Sequence, residues 1–516
     1  MSQPTIEAPP AQAHAPQRRP RSEPTRSLRE VLLRHPWALS ALALLAVSTV
    51  VVLWARARPG YDPYGWLVWG KLTIHLKLDT NGAPSWKPLP FLFTVPFALA
   101  GHYALWLWTI TSVAISLSGP LFAWRIAFRL TGADPQRRYA AYAAGLFAAL
   151  AVLAMQDPIA PANYVHYILS AESDTMIVSL CLAAIDCHLS RRHRWALWLW
   201  WLGALGRPEV WPFYGLALIW MWRAVPSYRR WLIASAVLLL LLWFAIPGLT
   251  SKSLLTASNI AENSPRAVRG NKISGTIDRF HQLQATTVWV AAALSVALAA
   301  YRRQRAVLVL AGGAALWVAI EIAFALHGFP AVPRYMFEAG AVVAVLAGVF
   351  VGRVILDLPP LLARVVRSLA ASRIGATTAT KLGAWGTALA VAVIAGSMLP
   401  AARHQERLER ADLSEQRSRT VLIDHLEGLV SKVGAARILA CGQPRIPIEF
   451  QSVLAWYMNV KIGELYVSQA LIDEHPHPLV NLYPIKDLGW KIFPSYVTAA
   501  PTPRCAHLML LYRPRA

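Results

Sequence analysis

The sequence predicts an all-α polytopic membrane protein with a small extracytoplasmic α/β domain at its C-terminal end. Three observations carry this. First, the 516 residues are 56% hydrophobic and 15% charged, with 22 Trp and a mean hydropathy of +0.40, too apolar for a soluble enzyme of this length. Second, the net charge of +23 suggests nucleic acid at first sight. Most Arg and Lys, however, punctuate the hydrophobic runs, as cytoplasmic loops do under the positive-inside rule. The expected surroundings are membrane lipid, with no nucleic acid. Third, residues 402–516 alone have a soluble profile, with basic and acidic residues close to balance.

Residues 1–36 are Pro- and Arg-rich and lack an apolar core. They are expected to be a disordered cytoplasmic tail without a cleavable signal. A transmembrane domain follows over 37–401. A bilayer core of about 30 Å needs roughly 20 residues of apolar helix. Residues 37–55 give span one, and the arginines before it place the N-terminus in the cytoplasm. The stretch GYDPYGWLVWG at 60–70 then lies outside. Residues 88–124 are uncharged but broken by Pro90, Pro96 and Gly101. They divide into a surface helix at 89–100 and span two at 103–128. Spans three and four fall at 139–156 and 175–190. The run 195–222 lies between two basic flanks, so it must enter the membrane and return, turning at Arg207-Pro208-Glu209 below the outer surface. Spans seven to eleven fall at 231–250, 283–300, 306–325, 336–352 and 382–400, about eleven in all, with an interfacial helix within 353–381. In the tail, VLIDHLEGLVSKV has helical spacing, while RILACG and HLMLLYRP read as strands. Cys181 and Cys187 are expected to be packing residues. Cys441 and Cys505 lie in the tail, and whether they pair is open at this point.

The polar residues out of place in this background fall mostly on the outer side: Asp62, Lys71, His75, Asp79, Lys87, Asp157, His166, Glu172, Asp174, Arg207, Glu209, Glu321, His327, Arg334, Tyr335 and Glu338. Ionisable residues at membrane depth are functional by default. A mixed set of this kind suits a phosphate-bearing substrate and a proton acceptor, because Arg binds phosphate at two points, Lys as a point charge, and a carboxylate takes a proton. Plainer readings stand beside this one. Asp62-Pro63 is a common turn starter, and Tyr61, Tyr64 and Trp66 are what an interfacial belt contains. Glu172 and Asp174 suit a helix N-terminus, Arg207 and Glu209 a structural ion pair, and Arg334 an interfacial anchor. The histidines are expected to be solvated or structural, since no spacing resembles a zinc site.

With these residues located, the chain resembles the GT-C class of integral-membrane glycosyltransferases, which take sugars from polyprenyl-phosphate carriers and include mannosyl- and arabinosyltransferases. In that class an acid in the first outer loop serves as base, and Asp62 occupies that place. A Lys-Pro-Pro-Leu-like element precedes a surface helix, and WKPLPFLF matches it with Lys87, although the order Pro-Leu-Pro departs. A second acid opens span four, where SAESDTM offers both Glu172 and Asp174. The RPE turn and the PRY before a late span also look like this class. The resemblance covers 37–400 and implies an inverting transferase of an inner, or plasma, membrane. Asp62 is then base, with Glu172 or Asp174 as second acid, and Lys87, Arg207 and Arg334 hold the donor phosphate. Tyr61, Tyr64, Trp66, His166, Glu209 and Tyr335 belong to the substrate site. The acceptor is a glycan, lipid or protein hydroxyl. The first loop lacks the paired acids of several branches, so no cofactor is expected and a divalent cation is not favoured. A lipid-linked sugar flippase would more often show inverted repeats, and none is evident. A non-catalytic scaffold would leave Arg207 and Glu209 unexplained.

Overall fold

The computed structural model describes residues 36–516, apart from 83, 133, 161, 263, 370–375, 468–477, 486–488, 496–504, 506–507, 509 and 513–516. The expected N-terminal tail therefore lies outside the described residues, save its last. The chain divides into two units, Met1–Ala43 and Leu44–Ala516. Of the first, only the opening turns of helix α1, Pro36–Ala55, are described. The second holds the rest of α1 and every other described element.

Helices dominate the second unit. Among the described residues, six helices are long and apolar enough to cross a bilayer, or seven if Lys272–His281 and Thr286–Tyr301, bent by 99° at their junction, count as one. This makes the protein multi-pass. Several other expected spans are shorter helices of 14 to 17 residues.

After α1 comes a helix where the sequence suggested a loop: α2, Tyr61–Ile74. Asp62-Pro63 opens it rather than turning it, because Pro costs nothing in a first turn, where its missing N–H has no partner to lose. Helix α3, Pro88–Ala98, is the expected surface helix. Next come α4, Ala104–Thr131, and α5, Arg138–Leu153, then a two-strand clasp of β1, Gln156–Asp157, with β2, Ala162–Asn163, and the short α6, Tyr164–Leu169. Helix α7 is Ser173–Leu189, and α8, His193–Gly206, and α9, Trp211–Ala224, form the expected pair of short arms. Helix α10, Arg229–Leu240, continues through a π-helical stretch, Leu241–Ala245, to Thr250. Helices α11, Thr256–Glu262, and α12, Lys272–His281, lie between the expected spans 231–250 and 283–300, followed by α13, Thr286–Tyr301, and α14, Arg305–Leu326.

Helix α15, Phe337–Leu369, is the core of the bundle. Small residues let its neighbours approach closely: a Cβ at Gly348 would strike the Ala144 carbonyl on α5, and one at Gly352 would strike Thr131 on α4. It also runs on past the expected end of span ten, through Pro359 and Pro360, taking up much of the stretch read as an interfacial helix.

Helix α16 is continuous from Ala376 to Val433. The boundary drawn at 401/402 falls inside it. The expected end of span eleven at 400 and the change in composition suggested a break, yet Ile423, Leu426, Val430 and Val433 recur at helical spacing and are all buried. RILACG is likewise not a strand. Gly434, at φ +87, ends α16, and α17, Ala435–Ala440, is a single helical turn and a half. The strand begins after it as β3, Gln443–Ile446. Helix α18, Ile448–Met458, then leads to β4, Tyr466–Val467, β5, Leu479–Ile485, β6, Gly489–Ser495, and β7, Leu510–Tyr512. Sheet order is β4-β3-β5-β6-β7, with β3 parallel to both neighbours and the rest antiparallel. Trp490 plugs the sheet against Phe450 of α18 and donates to the Leu422 carbonyl of α16. Cys441 and Cys505 are joined by a disulfide, with Cα atoms 5.6 Å apart.

Candidate active site

Five turns and helix starts bring the polar set together. Gly60 caps α2 without a side chain, and its N–H donates to the Ser170 carbonyl at 2.8 Å. A Cβ there would collide with Glu172 Oε1, so glycine lets Glu172 lie against the helix start that presents Asp62. Glu172 and Ser173 open α7. Lys87, extended before Pro88, donates through Nζ to Ser173 Oγ at 3.0 Å and sits 5.5 Å from the Trp66 ring. Arg207 ends α8 in extended backbone, as a residue before proline must. Its guanidinium pairs with Asp174, reaches Glu209 at 3.5 Å and stacks 4.1 Å over Tyr335. Arg334 stands 3.9 Å from Asp174, between the rings of Tyr167 and Tyr335. Tyr167 is itself fixed by donating to Asp157 at 2.7 Å.

The cluster has two layers. Asp62, Lys87 and Arg334 are partly exposed. Glu172, Asp174, Arg207, Glu209, Glu321 and Glu338 are buried. The charge of Asp62 acts on both Glu172 and Arg334, and that of Lys87 on both Glu172 and Asp174. Burial, then the negative charges of Asp62 and Asp174, raise the Glu172 carboxyl well above the ordinary carboxylate range. One oxygen or more of Glu172, Asp174, Glu209, Glu321 and Glu338 makes no hydrogen bond among the described residues, and neither does Arg207 Nε. Buried polar atoms of this kind are few in native proteins and ask for an explanation.

The structure also sorts the residues the sequence singled out. Arg207 is only 3% exposed and already faces two carboxylates, so it braces the site from beneath and is not open to a phosphate. Asp174, 1% exposed, anchors Arg207 and Arg334 and is not open to an acceptor. Tyr64 and Trp66, expected in the substrate site, have no exposed surface. Trp66 packs edge-on against Trp108 and supports Lys87, while Tyr64 lies against Tyr457. The Tyr61 hydroxyl donates to Gln451 at 2.9 Å. His166 is drawn out of the cluster to Asp412 on α16, at 2.6 Å. Asp79 pairs with Lys461, Lys71 sits over the Trp456 ring, and His75 and His327 are exposed. Tyr167, Ser173 and Gly60 escaped the sequence reading because uncharged residues carry no such contrast with an apolar background. Among the described residues no three or more His, Cys, Asp or Glu side chains converge as a metal site.

No protein-family model matches the sequence, and no curated protein matches it. The chain is similar to solved structures, two of which are of ArnT. One is ArnT from Cupriavidus metallidurans bound to undecaprenyl phosphate, at 16% identity and a TM-score of 0.44, covering 87% of this chain and 93% of that one. The other is ArnT from the same organism in the apo state, at 15% identity and a TM-score of 0.45, with the same coverage.

Proposed function

We propose that the protein is a membrane glycosyltransferase that moves a sugar from a polyprenyl-phosphate donor to an acceptor hydroxyl on the extracytoplasmic side of the membrane. One observation carries this reading: a partly exposed carboxylate, Asp62, and two partly exposed cations, Lys87 and Arg334, adjoin a buried ionic layer. Lys87 and Arg334 receive the donor phosphate. The acceptor oxygen attacks the anomeric carbon, the bond from that carbon to the phosphate oxygen breaks, and the acceptor proton passes to Asp62. Phosphate is a good leaving group, so the site chiefly supplies cationic stabilisation and a base. A single displacement inverts the anomeric carbon. The residues need no metal for these roles, and a metal-free site is part of the proposal.

A place for the donor's chain is part of the proposal. A cavity of about 540 Å³ runs between α7, α8, α9, α14 and α15, with mostly apolar walls that include Leu182, Trp200, Trp220, Val309 and Trp317. Glu338 lines it and also acts on Arg207, so the cavity and the ionic cluster adjoin.

The test is sugar transfer in proteoliposomes, with a panel of labelled polyprenyl-phosphate sugars and mixed envelope glycans as acceptors. Transfer by wild type that collapses in Asp62→Asn, with donor still bound, is the expected result. Equal transfer by both would remove Asp62 as base. No turnover of any donor by wild type would count against the transferase.

A further inference from the structure

The segment that delivers Asp62 to the cluster is not held by its own helix. Gly60 offers no side-chain cap, and the neighbouring backbone is bonded instead to residues far along the chain. Arg417 on α16 donates to the carbonyls of Trp54 and Ala55, at 3.1 and 2.9 Å. The Arg58 N–H donates to Thr420 Oγ1 at 2.9 Å, and its guanidinium pairs with Asp424 at 2.8 Å. Arg419 donates to the Pro59 carbonyl at 2.7 Å. Ser452 on α18 donates to the Tyr61 carbonyl at 2.6 Å, and the adjacent Gln451 accepts from the Tyr61 hydroxyl. Gln451 is fixed in turn by donating to the carbonyls of Ile462 and Leu465.

A domain merely tethered to the bundle would not need bonds to nearly every peptide unit just ahead of one carboxylate. Nor would an acceptor-binding module direct its buried polar side chains, Gln451 and Ser452, at the bundle. We infer that the C-terminal region is a positioning clamp for the base: Arg419 and Ser452 are positioning residues that set where the first turn of α2 places Asp62 relative to Arg334 and Glu172. Neither residue touches the reacting atoms. The β-sheet, braced by the Cys441–Cys505 disulfide and by Trp490 between α16 and α18, keeps the two arms of the clamp in register. The catalytic half of this inference rests on the transferase reading, and the geometric half does not.

The test uses the full chain in lipid nanodiscs, with Ser452→Ala, Arg419→Gln and, as the conservative rescue, Arg419→Lys. Amide hydrogen exchange over 58–62 needs no substrate, since it reports local opening directly. It should accelerate about tenfold or more in Ser452→Ala and Arg419→Gln, stay near wild type in Arg419→Lys, and leave 176–186 on α7 unchanged in all three. In transfer assays kcat should fall roughly ten- to hundredfold, as displacement of a reacting group by about 1 Å does, with KM for the donor within about twofold of wild type. Unchanged exchange over 58–62 in both Ser452→Ala and Arg419→Gln overturns the clamp. Faster exchange with kcat unchanged overturns its catalytic role. If wild type transfers no donor, the transferase reading fails and the exchange result still decides whether the clamp exists. Ser452→Ala removes a single oxygen and should fold; if Arg419→Gln does not, Ser452→Ala set against wild type gives the same decision.

Discussion

Helix α7 carries an aspartate near each end, and each aspartate faces two arginines. Asp186 meets Arg125 at 3.1 Å and Arg129 at 3.2 Å, both from α4 and respectively 32% and 38% exposed. Asp174 meets Arg207, 3% exposed, and Arg334 at 3.9 Å. As ion pairs the two look alike, but their surroundings differ. At Asp186 the guanidiniums reach partly into solvent and fasten one helix to its neighbour. At Asp174 the buried carboxyls Glu172, Glu209, Glu321 and Glu338 crowd around Lys87, Arg207 and Arg334, with several polar atoms left without partners. A pairing of charges inside a bundle is thus a poor sign of a site. The better sign is ionic capacity that the protein does not use up within itself, next to groups that solvent can reach.

The largest test of this contrast replaces each aspartate in turn. Asp174→Asn strands Arg207 in a buried place and should cost about 3–5 kcal/mol of stability, with transfer lost as Arg334 is released. Asp186→Asn leaves two partly exposed arginines and should cost about 1 kcal/mol or less, with transfer kept. Denaturant unfolding in detergent, run beside the transfer assay, checks both. Equal costs would dissolve the distinction.

Next in size, Asp62→Asn should lower kcat by about 10²–10⁴-fold while unfolding stays at wild type, because the accessible layer does little structural work. A loss of stability instead would move Asp62 into the class of Asp186. Arg334→Lys keeps the charge but loses the planar fork, so KM for the donor should rise roughly tenfold. An unchanged KM would leave Lys87 as the sole phosphate ligand.

The smallest effect is on pH dependence. Glu172 is held protonated well above the ordinary value of 4.5 by burial and by its acidic neighbours. The folded protein therefore binds a proton that the unfolded chain gives up. Stability contributed in this way is present below 4.5 and is lost as pH rises towards the raised value, at up to about 1.4 kcal/mol per pH unit. Glu172→Gln should flatten that slope, which unfolding midpoints across the acidic range would show.

The sequence made the charged members of the site legible because charges stand out in an apolar run, and the chain supplies them from every segment that later converges. It could not sort them by depth. Arg207 and Arg334 are equally conspicuous as letters, yet one is buried against carboxylates and the other is partly exposed. Tyr64 and Trp66 misled because an aromatic belt and a helix core have the same composition. The clamp was invisible for another reason. Thr420, Arg419, Ser452 and Gln451 belong to a soluble-looking stretch, and nothing local in their spacing refers to residues 58–61. Helix α16 hid itself in the same way, since Pro400 resembles an ending but is carried inside the helix.

The bonds onto Arg58, Pro59 and Tyr61 span 362, 360 and 391 residues. A ribosome adding about 5–20 residues per second takes roughly 20–80 s to make the intervening chain. Throughout that time the bundle can insert helix by helix and Asp62 can reach its side of the membrane, but the partners that fix its place do not yet exist. If the clamp acts as inferred, order of synthesis acts as a licence: an unfinished or truncated chain carries its acid and its cations and still lacks a set position for Asp62 until the last fifth of the protein is made.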